Sequence, residues 1–161
     1  MRALRTEGGR VVPLSRGATV LTLPGDVPGF LSANFELTAE GTAVADARRR
    51  VRRQLRRWAF PAGICDTAQL LVSELFTNAV LHTHSSHVSC ALRAGGSRLR
   101  VEVRDDGSGI GTPLPCWATP EDEHGRGLLL VDTFAEEWGV DRVGQRGAGC
   151  VVWFELGPIG T

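Results

Sequence analysis

The stretch HVSCALRAGGSRLRVEVRDDGSG, residues 87–109, decides how the rest of the chain is read. Val88, Cys90 and Leu92 alternate with Ser89, Ala91 and Arg93, and beyond Gly95-Gly96, Leu99, Val101 and Val103 alternate with Arg100, Glu102 and Arg104. Period-two alternation on both sides of a glycine pair predicts an antiparallel hairpin with one apolar and one polar face. The apolar face needs a cover.

Helices on either side supply it. Between Thr42 and Trp58 the apolar residues Val44, Ala47, Val51, Leu55 and Trp58 recur every three or four positions. That is one face of a helix roughly four turns long. The same helix carries seven arginines (Arg48, Arg49, Arg50, Arg52, Arg53, Arg56 and Arg57). They read as a solvated face whose stems cover apolar surface. A nucleic-acid or acidic-partner surface is the competing reading, but the net charge is zero and no nucleic-acid motif accompanies the run. Phe60-Pro61-Ala62-Gly63 breaks the pattern. A second helix follows over Ile64–Leu81, apolar on most faces and therefore buried, ending near the His82–Ser86 cluster.

Past the hairpin, residues 106–124 hold Gly107, Gly109, Gly111, Pro113, Pro115 and Pro120 and read as a loop. A third helix is expected from Leu128 to Glu136. Two last strands lie near Trp138–Val143 and Cys150–Leu156, joined across Gly144–Gly149. The order helix, helix, strand, strand, helix, strand, strand predicts an α+β two-layer sandwich, with helices on one face of a mostly antiparallel sheet. Residues 1–32 are rich in Gly, Pro and Arg without a sustained period. They read as a poorly ordered arm with room for a short strand at Ala18–Leu23, ahead of a domain over 33–158.

The chain's 161 residues suit a single domain, and a 42% hydrophobic fraction can build its core without metals or disulfides. Eighteen basic and eighteen acidic residues cancel, so no global field draws in nucleic acid or an anionic membrane. No stretch reaches the roughly 20 apolar residues of a membrane span, and the N-terminus lacks a secretory apolar core. Cys65, Cys90, Cys116 and Cys150 lie far apart with no CxxC pair, so reduced thiols in a cytoplasmic protein are expected. His84 and His87 near Cys90 lack tetrahedral zinc spacing.

Three features depart from a purely structural chain. Glu74 and Asn78 lie four apart on the second helix, with His82 one step further, opposite the core residues Val72, Phe76 and Ala79. Polar side chains in line on an apolar helix are costly unless satisfied. An Asn carbonyl is a hard oxygen ligand suited to Mg²⁺, and a carboxylate one turn earlier could take a proton from an attacking hydroxyl. An exposed Glu with a capping Asn is the plain alternative. The second feature, Asp105-Asp106-Gly107-Ser108-Gly109, follows a strand directly. A carboxylate there can accept from an exocyclic amino group, favouring adenine over guanine, while the glycines let backbone pass close to a flat base; a tight turn would use the same residues. The third, His124-Gly125-Arg126-Gly127-Leu128, opens the third helix. Glycines before a helix turn backbone N–H groups and the dipole's positive end toward an anion, with Arg126 as a charged donor. A simple glycine start to a helix explains it equally.

In this order the three motifs resemble those of the Bergerat-fold ATPases. Within that superfamily ELFTNAVLHT, VEVRDDGSGI, HGRGLLLVDTFAEEWGV and VVWFEL most resemble the anti-sigma-factor serine/threonine kinases of bacteria, over roughly residues 35–156. The resemblance implies ATP and Mg²⁺ as cofactors, Glu74 as general base and Asn78 as the Mg²⁺ ligand. It implies a nucleotide pocket of Asn78, His82, Asp105, Gly107, Gly109, Gly125, Arg126, Gly127 and Leu128. In it Asp105 reads the adenine amino group, while Gly125 and Gly127 belong to a lid over the phosphates. The implied acceptor is a Ser or Thr on an anti-anti-sigma (STAS-type) protein, the same domain can sequester a sigma factor, and a homodimer is suggested. A non-catalytic, ATP-gated regulator-binding module is the alternative. The chain departs from the superfamily pattern after Gly149, where Cys150 stands in place of a hydroxyl residue, and in a short, proline-containing lid. The lack of a preceding phosphoacceptor-His helix is unlike a complete sensor histidine kinase, and the length is unlike the large ATPase classes.

Overall fold

The computed structural model describes residues 5–7, 10–12, 29–82, 85–107, 126–143 and 149–158. In chain order these form β1 (Arg5–Glu7), β2 (Arg10–Val12), β3 (Leu31–Thr38), α1 (Ala43–Arg57), α2 (Ala62–His82), β4 (His87–Gly95), β5 (Arg98–Asp105), α3 (Arg126–Phe134), β6 (Glu137–Val143) and β7 (Gly149–Leu156). Strands β3-β4-β5-β7-β6 make one sheet in which every neighbouring pair is antiparallel. The fold is α+β, as the pattern of elements predicts.

The central hairpin differs from expectation at its turn. Gly95 still pairs with Arg98, and the connection is Gly96-Ser97, both at positive φ (57° and 63°). That is the two-residue turn whose twist matches flanking strands, and it places Ser97 in a region where non-glycine residues are uncommon. Strand β3 was not anticipated. Its Leu31, Ala33, Phe35 and Leu37 face the same side as Ala94, Leu92, Cys90 and Val88 of β4, so a period-two signal was present beside the Gly/Pro-rich arm. Within the arm β1 and β2 pair antiparallel, and β2 lies against β6. The strand expected at Ala18–Leu23 lies outside the described residues.

One face of the sheet carries the core. Val88, Cys90 and Leu92 of β4, Leu99, Val101 and Val103 of β5, and Cys150, Val152 and Phe154 of β7 are buried on it. Over it lie the helices. In α1 the residues Ala43, Ala47, Val51 and Leu55 are buried, with Val44 and Trp58 packed alongside. Asp46 in the first turn and Arg56 and Arg57 in the last complement the helix dipole. The helix closes with Ala59 at φ 59°, its N–H donating to the Arg56 carbonyl while Phe60 N–H donates to that of Leu55. This is a Schellman arrangement with alanine where glycine is usual. Gly63, expected in the break, falls in the first turn of α2. The side of α2 carrying Leu71, Val72, Leu75, Phe76 and Ala79 is buried.

The opposite face of the sheet is polar and half-covered. Arg100 donates to Glu102 (2.9 Å) and Glu155 (3.1 Å), and its guanidinium lies 3.9 Å from the centroid of the Trp153 ring. Trp153 crosses Gly139 of β6, where a Cβ would come within 2.8 Å of the ring. On α1, Arg50 stacks 5.5 Å from the Phe35 centroid, Arg52 donates to Gln69 (3.1 Å), and Arg49 pairs with Asp46. These contacts fit the reading of α1 as a solvated face whose arginines are partly tied down.

Candidate functional site

The site starts from α2. Glu74 and Asn78 are half-buried on the side away from the fully buried Val72 and Phe76, as their spacing requires. Leu70 and Leu81 lie on the same stripe at 39% and 66% exposure, which leaves the ExxxN pair flanked by apolar surface open to solvent. Neighbouring hydroxyls do not intrude: Ser73 donates to the Gln69 carbonyl (2.7 Å) and Thr77 to that of Ser73 (2.8 Å). The stripe is therefore an uncommitted carboxylate and amide on a rigid helix. His82 is the last residue of α2.

Asp105 is the last residue of β5 and is buried, at 6% exposure. Burial pushes its carboxyl above the usual carboxylate range. Hydrogen bonds oppose that push. The Ser85 hydroxyl donates to Oδ1 at 3.2 Å, and the backbone N–H of Cys150, with that of Gly107 shared with Ser85 Oγ, also favours the ionised carboxylate. Cys150 stands directly opposite Asp105 in the β5–β7 register. Gly149 beside it has no room for a side chain, because a Cβ would lie 2.8 Å from the Asp105 carbonyl oxygen.

Two further bonds close the arrangement. Gly107, at φ 56°, donates its N–H to Ser85 Oγ (3.2 Å). Asp106 accepts the N–H groups of Ser86 (3.0 Å) and His87 (3.2 Å). The Asp105–Gly107 turn is thus clasped to Ser85–His87, three residues beyond the end of α2. The clasp ties the start of β4 and the residues before it to the end of β5, the central strand of the sheet. Neither Ser85 nor Asp106 was among the residues expected at the site. For Ser85 the sequence signal is a Ser-Ser pair after a helix, which is also an ordinary turn, and Asp106 stands within the strand-end motif without a role of its own.

The third motif is partly visible. α3 begins at Arg126, so Gly127 sits in its first turn rather than before it, and its N–H is among those without an intrahelical partner. Leu128 packs into the core at 9% exposure. Gly109 and Gly125 lie outside the described residues. Among the described residues no group of three or more His, Cys, Asp or Glu side chains could hold a metal, and no helix is long and apolar enough to cross a membrane.

A family model described as the histidine kinase-like ATPase domain matches residues 37–155. A search of curated proteins returns no match. Among solved structures, the RsbU and RsbW domains of Rv1364c from Mycobacterium tuberculosis align with a TM-score of 0.58 at 18% identity. The alignment covers 78% of this chain and 32% of that one, so the present chain spans about a third of its neighbour. At that identity the likeness is one of fold.

Proposed function

The chain belongs to the histidine kinase-like ATPase family, and from that premise we propose that it is an ATP-dependent serine/threonine protein kinase of the anti-sigma-factor type, its working unit residues 33–158. The observation that carries the reading is the buried Asp105 carboxylate, hydrogen-bonded at the end of β5, a strand against which α2, the helix of Glu74 and Asn78, packs. A buried acceptor at a strand end suits the amino group of adenine and opposes the carbonyl of guanine. Gly107 at positive φ keeps the turn free of a side chain beside the base.

The donor set fits Mg²⁺ shared with a nucleotide. With no three-residue cluster of metal-ligating side chains among the described residues, the Asn78 amide oxygen would be one ligand beside water and phosphate oxygens. When bound, the ion neutralises charge on the transferring phosphoryl group. The work of this chain's own residues is positioning and proton transfer. Glu74, one turn from Asn78, accepts the proton as the acceptor hydroxyl oxygen bonds to the γ-phosphorus and the bond to ADP breaks. The motifs that resemble anti-sigma-factor kinases suggest an anti-anti-sigma (STAS-type) acceptor and a sigma factor as the sequestered partner, both in the cytoplasm.

Labelled ATP and candidate acceptor proteins test the proposal. Glu74→Ala is expected to lower phosphoryl transfer by about 10²–10⁴-fold while ATP still binds. Transfer that proceeds undiminished in that variant would remove Glu74 from the mechanism. A second reading, a nucleotide-gated binding module without transfer, draws on the arginine face of α1, where six of the seven arginines are exposed. ATP-dependent pull-down of a regulator with no transfer to any acceptor would favour it.

A further inference from the structure

We propose that Ser85 is a positioning residue that sets the purine preference of this site, by holding Asp105 as a hydrogen-bond acceptor. The inference rests on the reading of Asp105 as the base-recognising group. It goes beyond that reading in assigning specificity to a residue in the α2–β4 connection.

The argument is one of proton direction. A serine hydroxyl has one proton to give and two lone pairs to receive. Gly107 N–H can only donate, so its 3.2 Å bond to Ser85 Oγ occupies a lone pair. An ionised carboxylate can only accept, so the single hydroxyl proton is directed to Asp105 Oδ1, also at 3.2 Å. Among the described residues the hydrogen-bonding neighbours of the Asp105 carboxylate are donors: Ser85 O–H and Cys150 N–H, with the Gly107 N–H shared between Ser85 Oγ and the carboxylate. A group so surrounded is held in its acceptor form, and the remaining lone pairs match an amino group on the base edge. Burial and the neighbouring Asp106 charge act the other way, pushing the carboxyl up, and the Ser85 bond is the largest opposing influence.

Removing the hydroxyl takes away this donor to Asp105 and one acceptor of the Gly107 N–H. Asp105 then takes up a proton more readily. A protonated carboxyl can donate to the carbonyl of guanine, so discrimination against guanine falls. The second clasp, Asp106 on Ser86 and His87, does not involve the Ser85 side chain and still holds the connection to β5. The role is thus separable from folding.

Calorimetric titration of the full chain with ATP and with GTP, each with Mg²⁺, tests the proposal. In Ser85→Ala the ATP affinity is expected to fall roughly tenfold, the worth of one hydrogen bond to a charged acceptor, with no matching loss for GTP. Ser85→Thr keeps the hydroxyl and is expected to keep the ratio of the two affinities. Ser85→Cys keeps the size but donates weakly, and is expected to lose the ratio as Ala does, which covers the case in which the Ala variant folds poorly. An unchanged ATP-to-GTP ratio in Ala and Cys variants of a protein that binds ATP would overturn this inference and leave the nucleotide site standing. Failure of the unaltered protein to bind ATP would overturn both.

Discussion

On the outer face of the sheet, Asp141 Oδ2 and Trp153 Nε1 are buried without a hydrogen-bond partner. An unpaired buried carboxylate oxygen costs free energy, and burial holds the Asp141 carboxyl above the usual carboxylate range despite the opposing pull of Arg100. The sign of the consequence follows from linkage. A carboxyl whose folded-state pKa is raised binds more protons folded than unfolded. Its favourable contribution is present at low pH and is lost as pH rises through the raised value. Asp141→Asn removes that dependence. The variant is expected to melt a few degrees above the unaltered protein at about pH 7.5, with the gap closing toward about pH 3.5. Thermal denaturation at the two pH values checks this, and a gap that widens on acidification would contradict it. Asp105 also has a raised carboxyl, but three donors surround it. The two acids thus differ in partners as well as in burial, Asp105 being buried and Asp141 half-buried.

At the scale of elements, the end of α1 is a defined weakness. Ala59 takes the left-handed position of the Schellman cap, where a Cβ is strained and glycine is not. Ala59→Gly is expected to stabilise the protein by about 0.5–1 kcal/mol, the relieved strain exceeding the extra chain entropy of glycine. Urea denaturation would show a higher midpoint at unchanged slope, whereas a lower midpoint would mean that the strain is absent. The elements also divide by how far their own sequences announce them. α1 and the β4–β5 hairpin were legible, because a three-to-four residue period and a period of two each continue for several turns or pairs. β3 carries the same alternation as β4. Its signal is masked because Leu31 follows a Gly/Pro-rich stretch and its partners lie 49 to 63 residues along the chain, from Thr38–His87 to Leu31–Ala94. Gly127 shows the boundary problem in miniature: the glycines were read as preceding α3, yet its first turn begins at Arg126.

Across the whole molecule, zero net charge conceals a separation: seven of the eighteen arginines lie on α1. The proposed nucleotide site lies elsewhere, at the strand ends where α2 packs on β5 and β7. Binding there should stabilise the whole fold, since the unfolded chain has no such site. At a hundredfold excess of Mg-ATP over its Kd, the expected gain is about 2.7 kcal/mol. For a chain of this size that is a rise in melting temperature of roughly 5–10 °C. GTP is expected to give a much smaller rise, and chelation of Mg²⁺ to reduce the effect of ATP. Equal shifts with ATP and GTP would argue against base recognition by Asp105.

By itself the sequence determined the layers. Apolar periodicity fixes which face of each helix and strand avoids water, and that is local information repeated along each segment. It also marked Glu74, Asn78 and Asp105, because polar groups at those places break the surrounding pattern. Tertiary structure alone decided what those groups meet. The Ser85 hydroxyl reaches Asp105 across twenty residues, and the Trp153 ring crosses Gly139 on the neighbouring strand. Both contacts depend on strand order and register. Those are settled by burying all the apolar faces together, a condition that no single segment contains.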